Sequence, residues 1–131
     1  MNIAILGDVH GHLTLAYRIL RRWSDEHREP IDLVLQVGDL GAYPNTLRID
    51  KATMRFAKRD PDELGFMAYI QGADEAAEIL GETANDRYRF CTDLYFIKGN
   101  HDDFTYLNDL GGNGEPVSVD PFGRIHYLAS G

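Results

Sequence analysis

The stretch Ile3-Ala4-Ile5-Leu6-Gly7-Asp8-Val9-His10-Gly11 decides the architecture of this chain. Four apolar residues in a row, with no polar alternation, predict a short strand in a sheet covered on both faces. The run stops at Gly7-Asp8, where glycine permits a tight turn that a side chain would block, so an acid is held at the strand tip. Asp8 and His10 are separated by one residue, which in an extended exit from a strand points both side chains the same way, able to share one cation. Two further clusters repeat the device. Leu33, Val34, Leu35 and Val37 run into Gly38-Asp39-Leu40-Gly41, and the segment from Leu94 to Ile97 runs into Gly99-Asn100-His101-Asp102.

Between the first two strands, Leu13, Ala16, Tyr17, Leu20 and Trp23 recur at spacings of three and four and predict a helix over 12–27, ended by Glu29 and Pro30. A strand, helix, strand order of this length favours a right-handed parallel crossover. Asp8 and Asp39 then fall at one sheet edge, outside the carboxyl ends of the strands, where ligands gather in open α/β sheets. From Asp39 to Asn100 the chain is longer than one crossover helix requires. Helices are expected over 46–58, 61–70 and 73–80, with Pro61 and the acids Asp62 and Glu63 behind it making a good first turn. The expectation is a single domain over 1–131, in which 46–90 form a helical insertion or cap beside the strand edge. After the third cluster, Tyr106, Leu107 and Leu110 predict a short helix, Gly111, Gly112 and Gly114 a turn, and 117–119 with 125–128 a terminal hairpin.

A length of 131 residues with 44% hydrophobic residues is ample for one folded core. The single cysteine, Cys91, excludes an intramolecular disulfide. The first apolar run begins at Ile3 with no charged region or cleavage site around it, and no stretch reaches membrane-spanning length, so a cytoplasmic protein without a membrane span is expected. A formal charge of −8 argues against a broad basic surface for nucleic acid, since each phosphate contact needs a Lys or Arg. Arg18, Arg21, Arg22 and Arg28 read as a solvated helix face. Phosphate would instead be drawn by bound cations, which reverse the sign of charge locally.

The ordered set resembles the calcineurin-like metallophosphoesterases, whose pattern reads D-x-H, then G-D, then G-N-H-D/E, then a lone His, then G-H-x-H. The first three blocks stand at Asp8 and His10, Gly38-Asp39, and Gly99 to Asp102; the last two are not in this sequence. The resemblance runs from Ile3 to about Gly131, and the segment from Gly99 onward looks most like the lariat-debranching branch, which cleaves nucleic acid phosphodiesters. It implies an α/β, metallophosphoesterase-like sheet-and-helix sandwich, here its N-terminal half with an inserted helical segment. It also implies a metal-dependent phosphoesterase acting on phosphodiester or phosphomonoester substrates.

By the same resemblance, Asp8 and His10 bind the first of two divalent metal ions, Asp39 bridges, and Asn100 binds the second. Such oxygen and nitrogen donors suit Mn, Fe, Zn or Mg. Two ions would activate a water for in-line attack on phosphorus, so that no side-chain nucleophile is needed. His101 is the catalytic acid that protonates the leaving alkoxide, with Asp102 or Asp103 orienting it. His12 opens the first helix near the metal edge and is the candidate substrate contact. His27 reads as a surface residue, and His126 as a solvated strand histidine with a missing ligand position as its alternative role. Four protein ligands hold a second ion loosely. A catalytically incomplete metal-binding or scaffold module, or a fragment of a longer phosphoesterase, is therefore the competing reading. A half-domain would leave one sheet face bare, and self-association or a second-half partner is expected to cover it.

Overall fold

The computed structural model describes residues 1–71 and 92–129. Within them the chain forms β1 (Ile3–Leu6), α1 (Leu13–His27), β2 (Leu33–Gln36), α2 (Lys51–Ala57), a 3-10 turn (Pro61–Leu64), α3 (Gly65–Ile70), β3 (Leu94–Phe96), α4 (Phe104–Leu110), β4 (Val117–Ser118) and β5 (Ile125–Tyr127). The strands make one mixed sheet in the order β1-β2-β3-β5-β4. β1 to β2, β2 to β3 and β3 to β5 are parallel pairs, and β4 runs antiparallel to β5 as the expected hairpin. Parallel pairing carries the three glycine-flanked clusters to the same sheet edge.

Strand register explains the core. Val34, Gln36, Leu94, Phe96, Ile125 and Tyr127 share one face and are all buried, against Leu13, Tyr17 and Leu20 of α1, Phe66 and Tyr69 of α3 and Leu107 of α4. Side chains alternate between faces along a strand, so Ile5, Leu35, Tyr95 and His126 line the other. That face is much barer: Ile5 is 69% exposed, and Ile3, Val37 and Ile97 are also exposed. The expectation of a sheet covered on both faces is corrected for this edge. β1 has a partner on one side only, and four apolar residues in a row do not distinguish a buried strand from one with an uncovered side.

Helix boundaries moved for local reasons. α2 begins at Lys51, not near residue 46, because the Asp50 side chain caps it by accepting the Thr53 N–H. The segment expected as one helix over 61–70 divides into the 3-10 turn and α3. A Cβ at Gly11 would overlap the Glu63 carbonyl, and one at Gly65 would overlap the Gly11 carbonyl. Only glycine at both positions lets the turn lie directly on the first cluster. The helix expected over 73–80, and Cys91, fall outside the described residues. None of the described helices is long and apolar enough to cross a membrane.

The stacked pair Tyr17 and Tyr69, with ring centroids 6.2 Å apart, carries a pH prediction. Burial raises the pKa of both phenols above the ordinary tyrosine value. A raised folded-state pKa leaves stability intact below the unfolded value of about 10 and removes it as pH climbs further. Two such groups steepen the alkaline loss by about 2.7 kcal/mol per pH unit. Urea midpoints measured from pH 9 to 11.5 are expected to fall steeply, and Tyr17→Phe with Tyr69→Phe to flatten the decline. An unchanged slope in the double variant would assign the alkaline loss to other groups.

Candidate metal centre

The first two clusters are laid against each other by their backbones. The Asp8 N–H donates to the Gly38 carbonyl at 3.3 Å, His10 N–H to Asp39 at 2.9 Å, and Gly11 N–H to Leu40 at 2.7 Å. The third cluster is joined through a side chain: Asp39 Oδ1 accepts the His101 N–H at 2.8 Å. A Cβ on Gly99 would strike the Asp39 backbone and carboxylate, so this glycine sets how closely the second and third loops approach.

Among the described residues the non-glycine positions with left-handed backbone are Asp8 (φ 49°), His10 (φ 46°), Asp39 (φ 57°) and Arg28 (φ 55°). Arg28 is the C-cap of α1, an ordinary place for that conformation. The other three are the proposed ligands of the first two clusters, each held at a cost of order 1 kcal/mol, and such strain concentrates at functional sites. Ligand atoms of Asp8, His10 and Asp39 lie within 4.8 Å of one another. The Asp8 carboxylate is 80% exposed and 3.9 Å from His10 Nε2. Two carboxylates and an imidazole converging at an open edge match the donor preferences of a divalent cation, which would also offset their mutual repulsion. Asn100 shares a polar depression with Asp8 and Asp39, floored by Gly7, Gly38 and Gly99.

His101 stands beside this group, its ring centroid 5.2 Å from that of His10. Its Nδ1 lies 3.2 Å from Asp50 Oδ2, and this hydrogen bond raises the imidazole pKa above its ordinary value. Burial pushes the Asp50 carboxyl up, but hydrogen bonds from the Tyr43 hydroxyl, the Thr53 N–H and hydroxyl, and His101 outweigh it and hold Asp50 well below the usual carboxylate range. The residue that orients His101 is therefore Asp50. Asp50 had one legible sign in the sequence, an acid three residues before Thr53 at a helix start, which marks a cap and not a catalytic partner.

The expectation that Asp102 or Asp103 would orient His101 is corrected, because both carboxylates are occupied elsewhere. Asp102 Oδ1 accepts the N–H groups of Gly41 and Ala42, and its Oδ2 accepts that of Gly99. Burial raises the Asp102 pKa in spite of these three bonds. Asp103 caps α4 through the Tyr106 N–H and receives Arg48 Nε at 2.9 and 3.0 Å. Gln36 was not singled out by sequence; it is buried and bonds both the Gly38 carbonyl and the Gly38 N–H, fixing the turn that presents Asp39. Its sign was a lone amide in an apolar strand run.

His12, the candidate substrate contact, has both ring nitrogens engaged, Nδ1 with the Val9 carbonyl at 3.1 Å and Nε2 with Asp60 Oδ2 at 2.8 Å. Burial lowers its pKa, but the Asp60 hydrogen bond prevails and the net shift is upward. With Asp60 and Glu63 it forms a second, separate group of potential ligand atoms. His126 is half-buried, stacks on Tyr95 at 4.8 Å, and has Nε2 3.5 Å from Asp93, which precedes β3. Asp93 lies at the end of the sheet opposite the clusters, so His126 supplies no missing ligand there. His27 stacks on Trp23 with centroids 4.5 Å apart.

The model of the calcineurin-like phosphoesterase family matches residues 1–128. The chain belongs to that family. The family is one of phosphoesterases that generally use divalent metal ions. A lariat debranching enzyme of Arabidopsis thaliana is 29% identical over 110 residues, covering 84% of this chain and 22% of the relative. The chain thus spans about a fifth of that relative's length.

Proposed function

We propose that this calcineurin-like phosphoesterase hydrolyses phosphodiester or phosphomonoester bonds, with Asp8 and His10 holding one divalent cation, Asp39 shared, and Asn100 on a second. The observation that carries the reading is the left-handed backbone at Asp8, His10 and Asp39, which turns three donors of the right chemistry toward one point. Divalent cations, when bound, supply positive charge to phosphoryl oxygens and lower the pKa of water at a neutral working pH. The protein's own contribution is to place these donors and to hold a proton beside them. Asp50 fixes the His101 Nδ1–H, so in the imidazolium the Nε2–H is left to protonate a departing alkoxide. His12 is proposed as a brace between the first cluster and Asp60, a change from its expected contact with substrate.

Leaving-group dependence tests both parts. Hydrolysis is expected to require added manganese and to stop with chelator. His101→Ala is expected to slow release of an alkyl alcohol by about 10²-fold, and to slow release of nitrophenolate, which departs without a proton, far less. Equal losses on both substrates would remove His101 from the acid role. Counting bound manganese by equilibrium dialysis separates two cations from one, the state expected of an incomplete module.

A further inference from the structure

We infer that the α2 side of the cleft beside His101 binds a single-stranded polynucleotide, with a base on Phe56 and its flanking phosphates on Lys51, Arg55, Lys58 and Arg59. The inference rests on the phosphoesterase reading for the position of the scissile phosphate and on α2 alone for the strand. A cleft of about 260 Å³ is lined by His10, His101, Ala52, Thr53, Phe56 and Glu63. Because His101 is on its wall, the departing part of a substrate lies in this cleft, against Ala52 and Phe56.

Ala52 and Phe56 are one turn apart on α2, as are Lys51 and Arg55 on the adjoining strip of the same helix. Lys58 and Arg59 follow at its C-terminal end. All four basic residues are exposed, and among the described residues no carboxylate pairs with any of them. Arg22, Arg48 and Arg124, by contrast, face Glu26, Asp103 and Asp93. A molecule of formal charge −8 thus carries unneutralised positive charge along the border of its candidate site. Phe56 is 52% exposed with the Arg55 guanidinium carbon 5.3 Å from its ring centroid, an aromatic and cationic pairing that suits a stacked base. From Lys51 to Arg59 the charges extend over about 12 Å at 1.5 Å per residue, more than one phosphate covers. That length favours a strand over a mononucleotide. Glu63 on the cleft wall leaves the α2 side as the place for phosphates.

Binding of a fluorescein-labelled octathymidylate, read by anisotropy in chelator at several salt concentrations, tests this without turnover. The affinity is expected to fall with salt with a log-log slope near −3, four contacts at about 0.7 each for a single strand. Arg55→Gln with Lys58→Gln is expected to reduce that slope by about 1.4. Phe56→Ala weakens binding about tenfold at constant slope. Arg22→Gln on α1, a charge change elsewhere, alters neither. Binding that is absent, or that responds equally to Arg22→Gln, overturns the inference, as does competition by thymidine monophosphate as effective as that of the unlabelled octamer. Strand binding through α2 with no ester hydrolysis would uphold this surface and defeat the phosphoesterase reading; hydrolysis of aryl diesters without strand binding would do the reverse.

Discussion

Asp39→Asn is expected to lower phosphate-ester hydrolysis by on the order of 10³-fold, about 4 kcal/mol of transition-state stabilisation, while leaving the metal-free protein at least as stable as its parent. The two halves of this result have separate causes. Asparagine retains an oxygen for the His101 N–H that Asp39 Oδ1 now accepts at 2.8 Å, and it tolerates φ 57° as readily as aspartate. It also removes one of two carboxylates crowded within 4.8 Å, a repulsion that only a cation offsets. Losing the charge weakens the cation, and with it the stabilisation that a ligand at a hundred times its dissociation constant confers, about 2.7 kcal/mol. Thermal unfolding in chelator and in excess manganese reads both terms. The parent is expected to gain stability with manganese and the variant to gain little. Should the variant lose more than about 1 kcal/mol in chelator, Asp39 would instead be a turn acid of structural value.

The edge that carries the site was legible because three apolar runs each stop at glycine next to a polar donor, a pattern local in sequence. Parallel pairing of β1, β2 and β3 needed only the connections between them. What sequence concealed depends on contacts between segments far apart. Asp50 reaches His101 across 51 residues, and Asp102 reaches Gly41 across 61. The motif drew attention to Asp102 because it follows His101, yet adjacent side chains on a loop turn to different partners, and three backbone donors claimed this one. The exposure of Ile5 was hidden for a related reason: an apolar residue in a strand declares the strand but not whether its outer side is covered. The basic strip on α2 was present in the composition, submerged in a negative total that averages over the molecule.

Asp102→Ala is expected to cost about 4 kcal/mol of folding stability, an exceptional value for one substitution and a large part of a domain's usual margin. The side chain is 5% exposed and makes three short bonds, at 2.9 Å from Gly41 N–H, 2.7 Å from Ala42 N–H and 2.7 Å from Gly99 N–H. Hydrogen bonds to a charged group contribute about 1.5–3 kcal/mol each, less than additively when they share one carboxylate. Alanine leaves all three donors without their partner, those of Gly41 and Ala42 in the interior and that of Gly99 half-buried. Asp102→Asn keeps an acceptor for Gly41 and Ala42 but turns an NH₂ toward the Gly99 N–H, so an intermediate loss, about 2 kcal/mol, is expected. Urea unfolding gives the two costs, and amide exchange at Gly41, Ala42 and Gly99 locates them, since these protons should exchange faster in mild conditions than the rest of the sheet. Activity is expected to fall with stability in this series, because the loops that Asp102 joins carry Asp39 and Asn100. Asp39→Asn separates the same two quantities. If Asp102→Ala instead lost activity at unchanged stability, the carboxylate would belong to the chemistry after all, and the orientation of His101 by Asp50 alone would have to be abandoned.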